Sequence, residues 1–316
     1  MKISRFLPLI GIVIFLYLLS SIDLPEVAHI ILKANLLIFG IAILVTAVDI
    51  TLKAFKWKLI FSIYNIPVPF SRFLSSWIIG LSLSLITPGK VGDFGKAYYL
   101  KDKAPLGKSL TTVMADRIID VITLFILAII GLTIFATTYS PNTFLLTITY
   151  LLFAVFLVGI ALLSKRSIAT KILKPFFTRL VPSRYKPILT SVYGDFYSGV
   201  GLILGRKKML IMVVIITLLI WLGTILALFL VARSLGFDIP YDFLLIVFPV
   251  ITLLEALPIS FSGVGTRDAT LIFFLGFIML SAEAALSISL LYLLMTYIFA
   301  FIGFGLWYKN PIKLHH

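Results

Sequence analysis

Apolar and polar positions along the chain fall into long unbroken hydrophobic runs separated by short polar interruptions. Six runs, at 6–22, 36–55, 111–136, 144–163, 209–232 and 284–308, can each cross the hydrocarbon core as a helix, which takes about 20 residues. Two further runs, Phe73 to Ile86 and Phe243 to Leu254, are shorter and suit re-entrant or buried segments. Each short run leads into a polar, glycine-bearing stretch: "TPGKVGDFGK" (87–96) after the first and "LPISFSGVGTRDA" (257–269) after the second.

Basic residues at the ends of the runs predict orientation, because Lys and Arg collect on the cytoplasmic side. Lys2 and Arg5 precede the first run, and Lys53, Lys56 and Lys58 close the second, so both places read as cytoplasmic. So does 164–208, which carries Lys165, Arg166, Lys171, Lys174, Arg179, Arg184 and Lys186 among its basic residues. A full crossing at 73–86 would put Lys90, Lys96, Lys101, Lys103 and Lys108 outside, followed by all of 164–208. A run that dips in and returns through Phe94 to Leu100 keeps every cluster inside. The second short run then enters from the outer side, near Gly236 to Asp242.

The predicted fold is therefore all-α and polytopic: about six full spans plus two oppositely oriented re-entrant helical hairpins, an inverted-topology repeat. Eight ordinary spans with two kinked loops is the plain alternative. We read 1–316 as a single transmembrane domain. It divides into a first span with its connector (1–35), a first half with tip 87–96 (36–163), a basic cytoplasmic segment (164–208) and a second half with tip 257–269 (209–316). Both termini are expected in the cytoplasm of a cell-membrane, multi-pass protein.

Composition agrees with a lipid solvent. The 316 residues are 61% hydrophobic and only 13% charged, with a mean hydropathy of +1.14, too apolar to clothe a water-facing surface. Cysteine is absent, which excludes disulfides, thiolate nucleophiles and cysteine metal sites. The three histidines are His29, read as lying in a connector, and the terminal pair His315 and His316. No metal site and no cofactor are expected. The net charge of +14 does not imply nucleic acid. Apolar residues interleave the basic ones, as in "ILKPFFTRLV", and suit an anionic inner-leaflet surface contacted through 165–208.

The interruptions carry the candidate chemistry. Irregular backbone at membrane depth is tolerated where it is buried in protein or lines a wet cavity. Gly89, Gly92, Gly95, Gly263 and Gly265 permit positive φ or close approach, while Pro88 and Pro258 end the incoming helices. N–H groups opening each returning helix would suit an anion. Lys90, Asp93 and Lys96 sit on the first tip, with Arg267 and Asp268 on the second. In "ADRIID", Asp116 and Asp120 share one helical face beside Arg117. Taking Lys108 as the interface, Asp116 lies roughly 12 Å below it. Charges at such depth mark function, or they form structural ion pairs, Arg117 with Asp120 or Arg267 with Asp116. Asp49 and Lys53, four apart, read as a local pair near the inner surface, and Glu255 stands at the entry to the second tip.

Together, "TPGKVGDFGKAYYL", "ADRIIDV", "LPISFSGVGTRDA" and "LLYLLMTY" resemble the lysylphosphatidylglycerol synthase transmembrane, or flippase-like, family, from about Leu36 onward. The resemblance implies a member without the soluble synthase domain. It places the family's motif positions on Pro88, Gly89, Gly92, Asp93 and Lys96, on Asp116, Arg117 and Asp120, and on Pro258, Ser260, Gly263, Gly265, Arg267, Asp268 and Tyr292. Phe261 and Ser262 depart from the proline and glycine usual there.

From these readings the expected function is a non-enzymatic lipid translocase. Its partners are membrane lipids with an anionic or phosphate-bearing head group. Substrate contacts are expected from Lys90, Gly92, Asp93, Lys96, Asp116, Arg117, Asp120, Glu255, Gly263, Gly265, Arg267, Asp268 and Tyr292. The alternatives are an integral-membrane transferase acting on a lipid-linked substrate, a small-solute transporter, and a subunit that delivers lipid to a separate enzyme. Against the transferase, the acidic residues include no D-x-D pair.

Overall fold

A computed structural model describes residues 9–140, 143–164, 166–167, 170, 186–256 and 259–309. Lys2, Arg5, Pro258, the terminal histidines and, within the basic segment, Lys165 and all of 171–185 lie outside the described residues. Regular structure among the described residues is helical throughout. The helices are α1 (Leu9–Ser21), α2 (Leu24–Leu32), α3 (Leu36–Phe61), α4 (Phe70–Leu85), α5 (Leu106–Thr138), α6 (Phe144–Ser164), α7 (Lys186–Gly205), α8 (Lys207–Ser234), α9 (Tyr241–Glu255), α10 (Thr266–Gly276) and α11 (Ala282–Lys309). Two 3₁₀ segments, Ser62–Tyr64 and Pro88–Leu100, complete the order.

Among the described residues five helices are long and apolar enough to cross a membrane: α3 with its 3₁₀ extension, α5, α6, α8 and α11. A sixth span arises if α1 and α2, bent by 91° at their junction, count as one. The residues around His29, expected to form a connector, are thus helical. Asp23 caps α2 by accepting from the Glu26 N–H at 3.2 Å, and Pro25 occupies its first turn, where a missing N–H costs nothing.

Both short apolar runs become short helices. α4 packs antiparallel against 88–100, with Gly92 beside Leu83 and Gly80 beside Lys96. A Cβ on Gly92 would overlap the Leu83 carbonyl, so this glycine serves close approach. Neither Gly92 nor Gly95 has the positive φ that the sequence allowed them. The returning arm, Pro88–Leu100, is wound as a 3₁₀ helix. In the second unit α9 packs against α10, and the turn between them holds Ser262, Gly263 and Gly265 at φ of 50°, 77° and 84°.

Small residues let these units enter the bundle closely, as helix packing in lipid requires. Gly303 of α11 faces the Ile78 carbonyl of α4, Gly131 of α5 faces the Ile246 carbonyl of α9, and Gly11 of α1 faces Ser260. The Gly11 N–H also donates to the Ile259 carbonyl at 2.8 Å. Large apolar residues such as Leu37, Leu44, Val155 and Phe301 point outward, the surface a bilayer would cover. The main apolar core, drawn from α5, α8, α9, α10 and α11, includes Leu228, Phe243, Ile251 and Phe274.

Candidate functional site: a charged cavity between the two tips

A cavity of about 270 Å³ opens between the hairpin tips, bounded by α3, α5, α8 and α11. Lys90 on the first tip and Glu255 before the second meet across it, Nζ to Oε1, at 3.1 Å. Their side chains are 37% and 11% exposed. Gly263 admits the Glu255 stem, which a Cβ there would strike. Ser262 adds a second tip-to-tip link, its hydroxyl donating to the Leu85 carbonyl at 3.2 Å.

Beneath the first tip the charges form an alternating ladder. Asp120 and Asp116 both contact Lys56 Nζ, the latter at 2.9 Å. Asp116 also lies 3.6 Å from Lys96, which sits 2.9 Å from Asp93. Asp93 in turn accepts from Arg117 Nε at 2.7 Å and from its Nη2. Three acids and three bases alternate, so the ladder is neutral. Lys96 is fully buried and lies 5.4 Å from the centre of the Trp57 ring. Only the end members, Arg117 and Asp120, reach the cavity with substantial exposure, 36% and 25%.

The second tip holds a tighter cluster. Arg267 Nε donates to Ser289 Oγ at 2.8 Å, and Nη2 lies 3.2 Å from Asp268. Ser289 also donates to Asp268. The other oxygen of Asp268 accepts from the Gly265 N–H at 2.8 Å. Tyr292 packs its ring against Phe248 and stands 5.9 Å from the guanidinium carbon. At 2% exposure, Arg267 is held by internal partners.

All the charged residues expected at the site converge here, but three expectations change. Arg117 pairs with Asp93 instead of Asp120, and Arg267 with Asp268 instead of Asp116. Two of the tip N–H groups are taken, that of Gly92 by the Thr87 hydroxyl at 2.7 Å and that of Gly265 by Asp268. Asp49 and Lys53 do not pair. Asp49 instead accepts from the Thr224 hydroxyl of α8 at 3.0 Å, in a space kept open by Gly223.

Sequence reading missed Lys56, Lys53, Thr224 and Ser289. The two lysines looked like positive-inside markers, and only the i, i+4 spacing of Asp116 and Asp120 hinted that a buried cation had to face them. Among the described residues no group of three His, Cys, Asp or Glu side chains is arranged to hold a metal ion. Of the basic segment, the described α7 packs on α5, with Asp195 against Gly107.

The family described as the lysylphosphatidylglycerol synthase TM region matches residues 6–303. A UPF0104 membrane protein of Pyrococcus horikoshii is 24% identical over 248 residues, 72% of this chain and 73% of that protein. A UPF0104 membrane protein of Methanothermobacter thermautotrophicus is 24% identical over 281 residues, 84% of this chain and 82% of that protein. No solved structure matches.

Proposed function

The chain belongs to the lysylphosphatidylglycerol synthase TM region family, and from that premise we propose that it moves a polar lipid between leaflets, the head group passing through the charged cavity. The observation that carries this reading is the Lys90–Glu255 contact, an ion pair that joins two short hairpins across a charge-bearing cavity inside an apolar bundle. Such a pair is exchangeable: a phosphate can replace Glu255 on Lys90 without leaving either charge far from water. A volume of about 270 Å³ suits a head group, while acyl chains stay in the surrounding lipid. In this reading the hairpins are re-entrant from opposite faces, both termini are cytoplasmic, and the protein is not an enzyme.

Its chemistry favours transport over transfer. Most charged side chains lining the cavity are engaged with one another, which suits binding and release more than a nucleophile beside a base. The test is reconstitution into liposomes with a panel of labelled lipids, scoring leaflet exchange with and without a proton gradient. Exchange of an anionic or phosphate-bearing lipid above protein-free vesicles supports the proposal. Exchange of none, with uptake of a water-soluble solute, overturns it.

A further inference from the structure

We propose that Lys53 is the residue that receives the phosphate group of the ligand in this cavity; the inference rests on the translocase reading of the same site and deepens it. Four cations line the cavity: Lys53, Lys90, Arg117 and Arg267. Lys90 faces Glu255, Arg117 faces Asp93 and Arg267 faces Asp268. Lys53 is the exception. Among the described residues no carboxylate lies within 4.0 Å of its Nζ, and its one close partner is the Trp77 ring, 5.6 Å from the centroid.

The fold arranges this. One turn earlier on α3, Asp49 is the expected i, i+4 partner, yet the Thr224 hydroxyl and the gap beside Gly223 draw its carboxylate toward α8. Trp77 holds the ammonium toward α4. Lys53 is half-buried in the cavity wall; its ammonium carries three donors, and an aromatic face satisfies none of them as hydrogen bonds. Lys90 must first release Glu255 and Arg267 must release Asp268, whereas Lys53 needs to break no ion pair. Arg117, Asp120, Asp49 and Lys56 are within electrostatic reach of it. Across the cavity the exposed face of Arg117 can supply further donors to the same phosphate. A phosphate presents separate non-bridging oxygens to a point-charge lysine and to a guanidinium at once, the pairing these two side chains favour.

The experiment uses the full chain in detergent, titrated calorimetrically with dihexanoyl phosphatidic acid and separately with inorganic phosphate. Lys53→Gln should bind the short-chain lipid about tenfold to a hundredfold more weakly, the loss of one charge-assisted contact. Lys53→Arg should stay within about threefold, and Lys101→Gln, on the surface, should match wild type. Both Lys53 variants should keep the wild-type unfolding midpoint, since no ion pair is broken. Equal lipid affinity in wild type and Lys53→Gln, or no binding of either probe to wild type, overturns the proposal. Inorganic phosphate binding as tightly as the lipid, with the same dependence on Lys53, supports the residue's role but assigns the anion to a soluble source. Leaflet exchange on the same variants separates the two claims. Wild type without exchange but with Lys53-dependent phosphate binding sinks the translocase reading alone, and full exchange with unaltered lipid binding in Lys53→Gln sinks the Lys53 assignment alone.

Discussion

Lys90 and Glu255 lie 165 positions apart in sequence numbering and touch at 3.1 Å, joining the two glycine-bearing interruptions across one cavity. If the cavity passes a head group, this contact must open. The chain has no native cysteine, so Lys90→Cys with Glu255→Cys gives a clean cross-linking pair. Bridging them with a short bifunctional thiol reagent should stop leaflet exchange, and a cleavable reagent should restore it on reduction. Exchange at the wild-type rate by a fully bridged protein would show that the tips need not part.

The ladder makes a different prediction. Lys96 is buried between Asp93 and Asp116, and removing one member of a buried ionic set leaves its partners uncompensated. Lys96→Met should lower stability by about 3 kcal/mol, read as a fall in the unfolding midpoint in detergent. Adding Asp93→Asn should recover part of the loss, because Arg117, released, is exposed enough to be solvated from the cavity. An unchanged midpoint in Lys96→Met would mean the ladder contributes nothing to the fold.

Glycines 92 and 95 look alike in sequence but not in their surroundings. A Cβ at 92 meets the backbone carbonyl of Leu83, which cannot move aside, while one at 95 comes within 2.8 Å of only the Leu83 Cδ1 methyl. Gly92→Ala should therefore cost about 1–3 kcal/mol through overpacking, and Gly95→Ala should be tolerated after a rotamer change. Comparing their unfolding midpoints checks this, and similar losses in both would refute the distinction.

Ser262 stands where related sequences are expected to place glycine, and its backbone explains why: φ is +50°. A non-glycine residue there carries strain of about 1 kcal/mol, offset by the hydroxyl bond to the Leu85 carbonyl, itself worth about 1 kcal/mol. Ser262→Gly should thus be near neutral, while Ser262→Ala, which keeps the strain and loses the bond, should be the less stable of the two. The reverse order by thermal unfolding would contradict the account.

Much of this architecture was legible in the chain. Spanning runs announce themselves by length alone, and the interruptions at 87–96 and 257–269 stand out because glycine, proline and charge are costly inside an apolar protein. The partners within the charged layer were not legible. Lys53 and Lys56 sit at the end of a spanning run, so composition reads them as cytoplasmic flank, whereas α3 carries Lys56 into the bundle to meet Asp116 and Asp120. Local spacing also misleads for Asp49, since i, i+4 proximity to Lys53 loses to a tertiary contact with Thr224. Pairing at depth is decided by helices distant in sequence, and no local pattern encodes it.

The two arginines of the site should part company under the same substitution. Arg267 is 2% exposed and spends its guanidinium on Ser289 and Asp268, while Asp268 in turn fixes the turn through the Gly265 N–H. Lysine cannot reproduce that fork, so Arg267→Lys should lower the unfolding midpoint, and the loss of exchange should follow the loss of folded protein. Arg117 is 36% exposed to the cavity and has a single carboxylate partner that Lys96 also neutralises. Arg117→Lys should keep most of its stability yet lose about tenfold in exchange rate, the effect of removing a bidentate contact to a phosphate. Exchange per folded molecule, measured for both variants in the same liposomes, decides the matter. A normal rate in Arg117→Lys, or a stable but inactive Arg267→Lys, would reverse the roles assigned to them.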